Sequence, residues 1–173
     1  MRILRLVATG TALLTVGGCA DRPDVLGPTA RSASAARQVQ ASGDFVAMVD
    51  FSTLTLTPRG RNCLLQVEGQ LVFTGTIEGT ATGQTTALVF APCSDVATTP
   101  PGTFRDVFKS ELEFEGTVDG EPARANLLYM GRVEPGGQID GRLVFSSGDV
   151  RGELDADAVV AVGGEYGGSV VVR

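Results

Sequence analysis

The chain of 173 residues contains no histidine and no tryptophan, and Lys109 is its only lysine. Without histidine, the protein lacks both the commonest general base and the commonest metal ligand. A Ser/His/Asp or Cys/His relay is therefore excluded, and so is a histidine-ligated zinc site. We accordingly predict no catalytic residue, no metal and no cofactor from the sequence.

The sequence also lacks an apolar run long enough to cross a bilayer, which takes roughly 20 residues. Its longest apolar run covers only residues 6–16. Arg2 and Arg5 precede this run, and Val-Gly-Gly-Cys ends it at Cys19. A positive start, a short apolar core and small residues before a cysteine resemble a bacterial lipoprotein signal. The resemblance implies a signal peptide over 1–18 and lipidation, such as palmitate, on Cys19. The protein would then be extracytoplasmic and lipid-anchored to a bacterial membrane of the cell envelope, on the periplasmic side or the cell surface.

Residues 19–42 are rich in Ala, Ser, Arg and Pro and contain no aromatic side chain. Such a stretch buries too little apolar surface to fold alone, so we predict a lipidated cysteine and a flexible tether there. Residues 43–173 then form a single domain. Loss of Arg2 and Arg5 with the signal leaves a net charge of 12 − 20 = −8. An acidic chain of this kind is a poor partner for nucleic acid.

Cys63 and Cys93 remain once Cys19 is assigned to lipid. Outside the cytoplasm two leftover thiols in a small domain usually pair, so we predict a disulfide between them. Closing a loop of roughly 30 residues stabilises a fold by about 3 to 4 kcal/mol in the chain-entropy model. A reactive thiol is the alternative, and it lacks a histidine to activate it.

Beyond Gly43 the apolar residues alternate with polar ones, as in Phe45, Ala47, Val49 and Phe51, and this period of two is typical of strands. The proline-rich segment 91–102 predicts a loop. No stretch keeps a period of 3.6 residues, so the domain is predicted to be all-β.

A hairpin is predicted at Asp119-Gly120, a dipeptide that suits a tight two-residue turn. This turn pairs Val118 with Glu121 and sets the register of both strands. In that register Phe114 faces Ala125, Leu112 faces Leu127, and on the other side of the sheet Glu115 faces Arg124.

Eight or nine strands in local pairs favour a closed antiparallel up-and-down barrel of about eight strands, with a two-sheet β-sandwich as the alternative. The apolar end Val170-Val171-Val172 is predicted to pair with an early strand, because an exposed edge of that kind aggregates. Segments 70–83, 114–120 and 147–154 resemble the glycine-spaced strand motifs of an uncharacterised bacterial family with an allene-oxide-cyclase-like barrel. That resemblance implies the barrel only, since no position matches a catalytic motif of the plant cyclases.

The predicted register also separates an inner from an outer face. Glu111, Glu113 and Glu115 alternate with the apolar residues and are predicted to face solvent. The side chains predicted to line the lumen are Ser110, Leu112, Phe114, Leu127, Tyr129, Leu143 and Phe145. An apolar lumen with a few hydroxyls suits a small lipophilic ligand, although a barrel of eight strands can also fill its lumen with side chains.

Two functions are compatible with these features. The first is a non-catalytic module that binds a small apolar ligand or an envelope partner, and the alternative is a cofactor-free isomerase or cyclase acting on a hydrophobic substrate. A carboxylate or arginine inside the lumen would favour the enzyme. Glu121 is the one charge in inward phase that the sequence suggests on the central hairpin, and it lies at the turn, so binding is the preferred prediction.

Overall fold

The computed structural model describes residues 36–173, which consist almost wholly of strands. Each strand is antiparallel to its neighbours, and the only helix among these residues is a single turn. None of the described helical residues could span a membrane. The elements in chain order are β1 (Arg37–Arg59), β2 (Asn62–Gly75), β3 (Ile77–Val89), α1 (Cys93–Val96), β4 (Asp106–Val118), β5 (Glu121–Val133), β6 (Gln138–Gly148), β7 (Val150–Val159) and β8 (Gly163–Val172).

The strands form a closed barrel in the order β1-β2-β3-β4-β5-β6-β7-β8. Every strand pairs with the next one in the sequence, and β8 closes the ring by pairing with residues 37–46 of β1. The predicted up-and-down barrel is thereby confirmed. The pairing of the apolar C-terminal strand with an early strand is confirmed as well, and it leaves β8 without a free edge.

The start of β1 corrects the predicted domain boundary at Gly43. Residues 37–42 pair with β8 and do not belong to a tether. Val39 and Ala41 are buried inside the barrel, while Gln38 and Gln40 face outward. This alternation was missed because alanine and serine dominate the preceding segment. The predicted signal peptide, Cys19 and the rest of the predicted tether up to residue 35 lie outside the described residues.

The β4–β5 hairpin has the predicted register. Val118 pairs with Glu121, and the pairs Phe114 with Ala125, Leu112 with Leu127 and Glu115 with Arg124 follow from it. Asp119 and Gly120 both have positive φ angles, 52° and 82°. Two such residues form the tight turn whose twist matches that of the flanking strands.

One end of the barrel, which we call the packed end, is filled with side chains. It carries the short turns after β2, β4 and β6 together with Arg37 and Val172, which pair with each other. The Phe73 ring lies 5.7 Å from that of Tyr166 and 6.1 Å from that of Phe114. These edge-to-face contacts fill the interior of the packed end with aromatic side chains.

The opposite end, the loop end, is covered by residues 90–105, which we call the roof. Most of the predicted loop 91–102 is irregular, but it includes α1. The predicted disulfide between Cys63 and Cys93 is present and ties the roof to β2. Val96 and Phe104 of the roof pack on a small apolar cluster around Cys63, Val89 and Ala91.

The roof is also fastened at its other side. The Gly136 N–H donates a hydrogen bond of 2.9 Å to the Gly102 carbonyl oxygen. Gly102 has a φ of +80°, and a Cβ atom there would lie 2.6 Å from the Gly137 Cα atom. Only glycine lets the two backbones approach this closely, so the roof rests directly on the β5–β6 turn.

Candidate functional site

A cavity of about 370 Å³ lies inside the barrel under the roof. Its walls come from all eight strands, from the β7–β8 turn and from the second half of the roof, and they are mainly aliphatic and aromatic. The strand residues that line the walls include Phe45, Ala47, Val49, Leu65, Val67, Leu71, Thr85, Ala87, Val89, Asp106, Phe108, Ser110, Tyr129, Val133, Ile139 and Ala158.

The seven side chains predicted for the lumen all lie in the barrel interior and are buried. Only Ser110 and Tyr129 line the cavity. The other five, which are Leu112, Phe114, Leu127, Leu143 and Phe145, belong to the hydrophobic core of the barrel and are not among the cavity-lining residues. The barrel therefore combines both alternatives, because one half of the lumen is packed and the other half is open.

Asp106 is the residue that the sequence analysis missed. It is the first residue of β4, it lines the cavity, and its exposed fraction is only 9%. Loss of contact with water raises the pKa of its carboxyl from 3.8 to about 7. The sequence does contain a signal for it. The alternation that points Ser110 inward, followed four residues back through Phe108, also points Asp106 inward.

Two hydroxyls lie deeper along the same wall. Ser110 pairs directly with Thr85 of β3, and their Oγ and Oγ1 atoms are 2.7 Å apart. Ser110 is four residues beyond Asp106 on one face of β4, which corresponds to about 14 Å along the strand. The cavity thus has a carboxyl near the roof and a hydroxyl pair farther down.

Tyr129 contributes its ring to the cavity wall. Its ring centroid lies 4.9 Å from that of Phe108 and 5.7 Å from that of Phe45, both edge to face. Gly141 makes room for the ring, since a Cβ atom there would lie 2.9 Å from Tyr129 Cε2. The Tyr129 hydroxyl is buried without a hydrogen-bond partner in the described part of the chain. Burial, reinforced by the charge of Asp157, raises its pKa, so the phenol stays protonated.

The rim of the cavity is apolar and exposed along β1. Beyond Val46, β1 has no strand partner on the β8 side, and its register with β2 shifts between Asp50 and Thr55. Phe51 and Leu54 of this irregular segment line the cavity although 54% and 37% of their surfaces are exposed. A small apolar molecule would meet compatible surface on the way into the cavity.

The acidic stripe of β4 faces outward, as predicted. Glu111, Glu113 and Glu115 are exposed, and Glu115 forms an ion pair with Arg124. Glu121 is also exposed at the β4–β5 turn. None of these four carboxylates lines the cavity.

Within residues 36–173, no group of three or more cysteine, aspartate or glutamate side chains is placed to hold a metal ion. In the cavity, Asp106 is the only charged residue among the lining residues that the structure describes. The arrangement can enclose an apolar molecule and offer it one carboxyl.

No protein-family model matches the sequence, and a search of curated proteins finds no significant match. The described residues form a closed β-barrel with an internal cavity of ligand size at one end.

Proposed function

We propose that the protein binds a small lipophilic ligand in the cavity at the loop end, while lipid on Cys19 holds it to a bacterial membrane. The cavity carries this proposal. Its volume of about 370 Å³ falls within the range of roughly 300–1,000 Å³ typical of small-molecule sites.

The lining supports an apolar ligand over a polar one. Aliphatic and aromatic side chains from facing strands surround the space, and the hydroxyls of Thr85 and Ser110 already pair with each other. Transfer of an apolar molecule from water into such a space is favourable by roughly 25 cal/mol for each Å² of apolar surface that is buried.

The cavity can be tested by filling it. Ala87 of β3 lines the cavity, and Ala87→Phe places a ring inside it. We expect wild type to bind 1-octanol in isothermal titration calorimetry, and Ala87→Phe to bind it at least about 10-fold more weakly because the ring takes up the space. The matched control is Thr86→Phe, which adds the same ring to the outer side of the same strand and should leave binding unchanged. If Ala87→Phe and Thr86→Phe both bind 1-octanol as tightly as wild type, the ligand lies outside the barrel.

The lipid anchor has a separate test. We expect Cys19→Ala to abolish lipid modification and to remove the mature protein from the membrane fraction, because the lipidated sulfur is lost. Mass spectrometry of the mature N-terminus and fractionation of cells would show both effects. Mature Cys19→Ala protein that still sediments with membranes would rule out this anchor.

An isomerase or cyclase is the second candidate, and Asp106 is the observation in its favour. A carboxyl inside the lumen is the feature that we expected of an enzyme, and a pKa of about 7 suits proton transfer at neutral pH. Binding is preferred because the lining supplies no second charged group, and the Tyr129 hydroxyl is fully covered. The two functions differ in an observable property: an enzyme in which Asp106 transfers protons would exchange the α-hydrogens of bound 2-octanone with solvent deuterium, and a binding protein would not.

A further inference from the structure

Asp106 lies in apolar surroundings, and no described residue of opposite charge lines the cavity with it. The ion pairs among residues 36–173 are all on the exterior, and none includes this carboxylate. Loss of water alone accounts for its raised pKa, so no neighbouring cation or hydrogen-bond donor in the described chain offsets its burial. A buried carboxylate of this kind is costly unless something pairs with it.

The chemistry of the wall restricts what the partner can be. A divalent cation in proteins takes several oxygen ligands, whereas the cavity offers a single carboxylate. One positive charge on an organic group matches it better. The faces and edges of Phe45, Phe108 and Tyr129 line the same space, and aromatic rings attract an ammonium group as well as hydrocarbon.

We propose that the ligand is a lipophilic amine, whose protonated ammonium group pairs with the Asp106 carboxylate near the roof while its hydrocarbon part lies deeper against Phe45, Phe108 and Tyr129. This inference rests on the proposed function, since it names the class of ligand that the cavity takes. The distance of about 14 Å along β4 between Asp106 and Ser110 leaves room for a short alkyl chain below the ammonium group.

The test compares octylamine with 1-octanol, which has the same chain and no charge, by calorimetry at pH 8 on the full-length protein. We expect wild type to bind octylamine at least about 10-fold more tightly than 1-octanol, because a charge-assisted hydrogen bond is added. Asp106→Asn should lose this preference and keep its affinity for 1-octanol, which shows that the variant folds with its cavity intact. Glu113→Gln removes an exposed carboxylate from the outer face of β4 and should bind both ligands as wild type does.

Each other outcome has a distinct meaning. Two results would contradict the amine: wild type binds 1-octanol as tightly as octylamine, or Asp106→Asn binds octylamine as tightly as wild type. In either case the proposal that the ligand is an amine is wrong, and the proposal that the cavity binds a lipophilic ligand still stands. If Glu113→Gln weakens octylamine binding as much as Asp106→Asn does, the amine responds to the net charge of the protein, and the pairing with Asp106 is wrong. If wild type binds neither compound, the proposed function itself fails.

Discussion

At pH 8 we expect Asp106→Asn to raise the free energy of unfolding by about 2 to 4 kcal/mol, and at pH 4 we expect it to change that free energy little. The folded protein keeps the Asp106 proton up to a pH of about 7, whereas the unfolded chain loses it near 3.8. Between these values the folded state binds more protons, so wild type loses stability as the pH rises from about 4 to about 7. An amide has no proton to lose and avoids this cost. Three pH units correspond to about 4 kcal/mol, and water in the cavity reduces that figure.

The measurement is urea denaturation of wild type and Asp106→Asn at pH 4, 6 and 8, without ligand. Glu113→Gln is the matched control, because it removes an exposed carboxylate from the other face of β4. Its difference from wild type should stay small at every pH. A constant difference between Asp106→Asn and wild type across the pH range would show that the carboxyl titrates normally in the folded protein.

Removal of the disulfide is expected to lower the free energy of unfolding by about 3 to 4 kcal/mol. The bond joins Cys63 and Cys93 across a sequence separation of 30 residues, and its loss restores the freedom of that loop in the unfolded chain. Cys63 is fully buried in the small cluster under the roof. The double variant Cys63→Ala/Cys93→Ala keeps that position apolar and leaves no free thiol there.

This variant should also loosen the roof, because its covalent tie to β2 is lost while the hydrogen bond between Gly102 and Gly136 of the β5–β6 turn remains. Hydrogen exchange through local opening should become faster in residues 90–105, whereas at the packed end only the amides that exchange through global unfolding should become faster. Denaturation of wild type with and without reductant provides the thermodynamic comparison. Reductant should have no effect on the double variant, and equal stability of reduced and oxidised wild type would contradict the prediction.

Local signals in the sequence were sufficient to predict the strands and to identify some of the residues that line the cavity. Asp119-Gly120 fixed the register of β4 and β5, and that register correctly placed Ser110 and Tyr129 inside the barrel. Asp106 was missed because the inward phase was followed back only to Ser110. The first six residues of β1 were missed because small residues conceal their alternation.

The division of the lumen could not be predicted from local patterns. Phe73 comes from β2 and Tyr166 from β8, and their rings meet only when β8 closes on β1. Whether inward side chains fill the lumen depends on how rings from distant parts of the chain share space. A period-two pattern gives the direction of a side chain and contains no information about what lies opposite.

Arg37 and Val172 pair at the packed end. The first strand therefore begins, and the last strand ends, on the side of the barrel away from the cavity. The apolar rim therefore has neither the start of β1 nor the end of β8 beside it. A fluorescent protein or an affinity handle fused after Arg173 would leave the rim unobstructed.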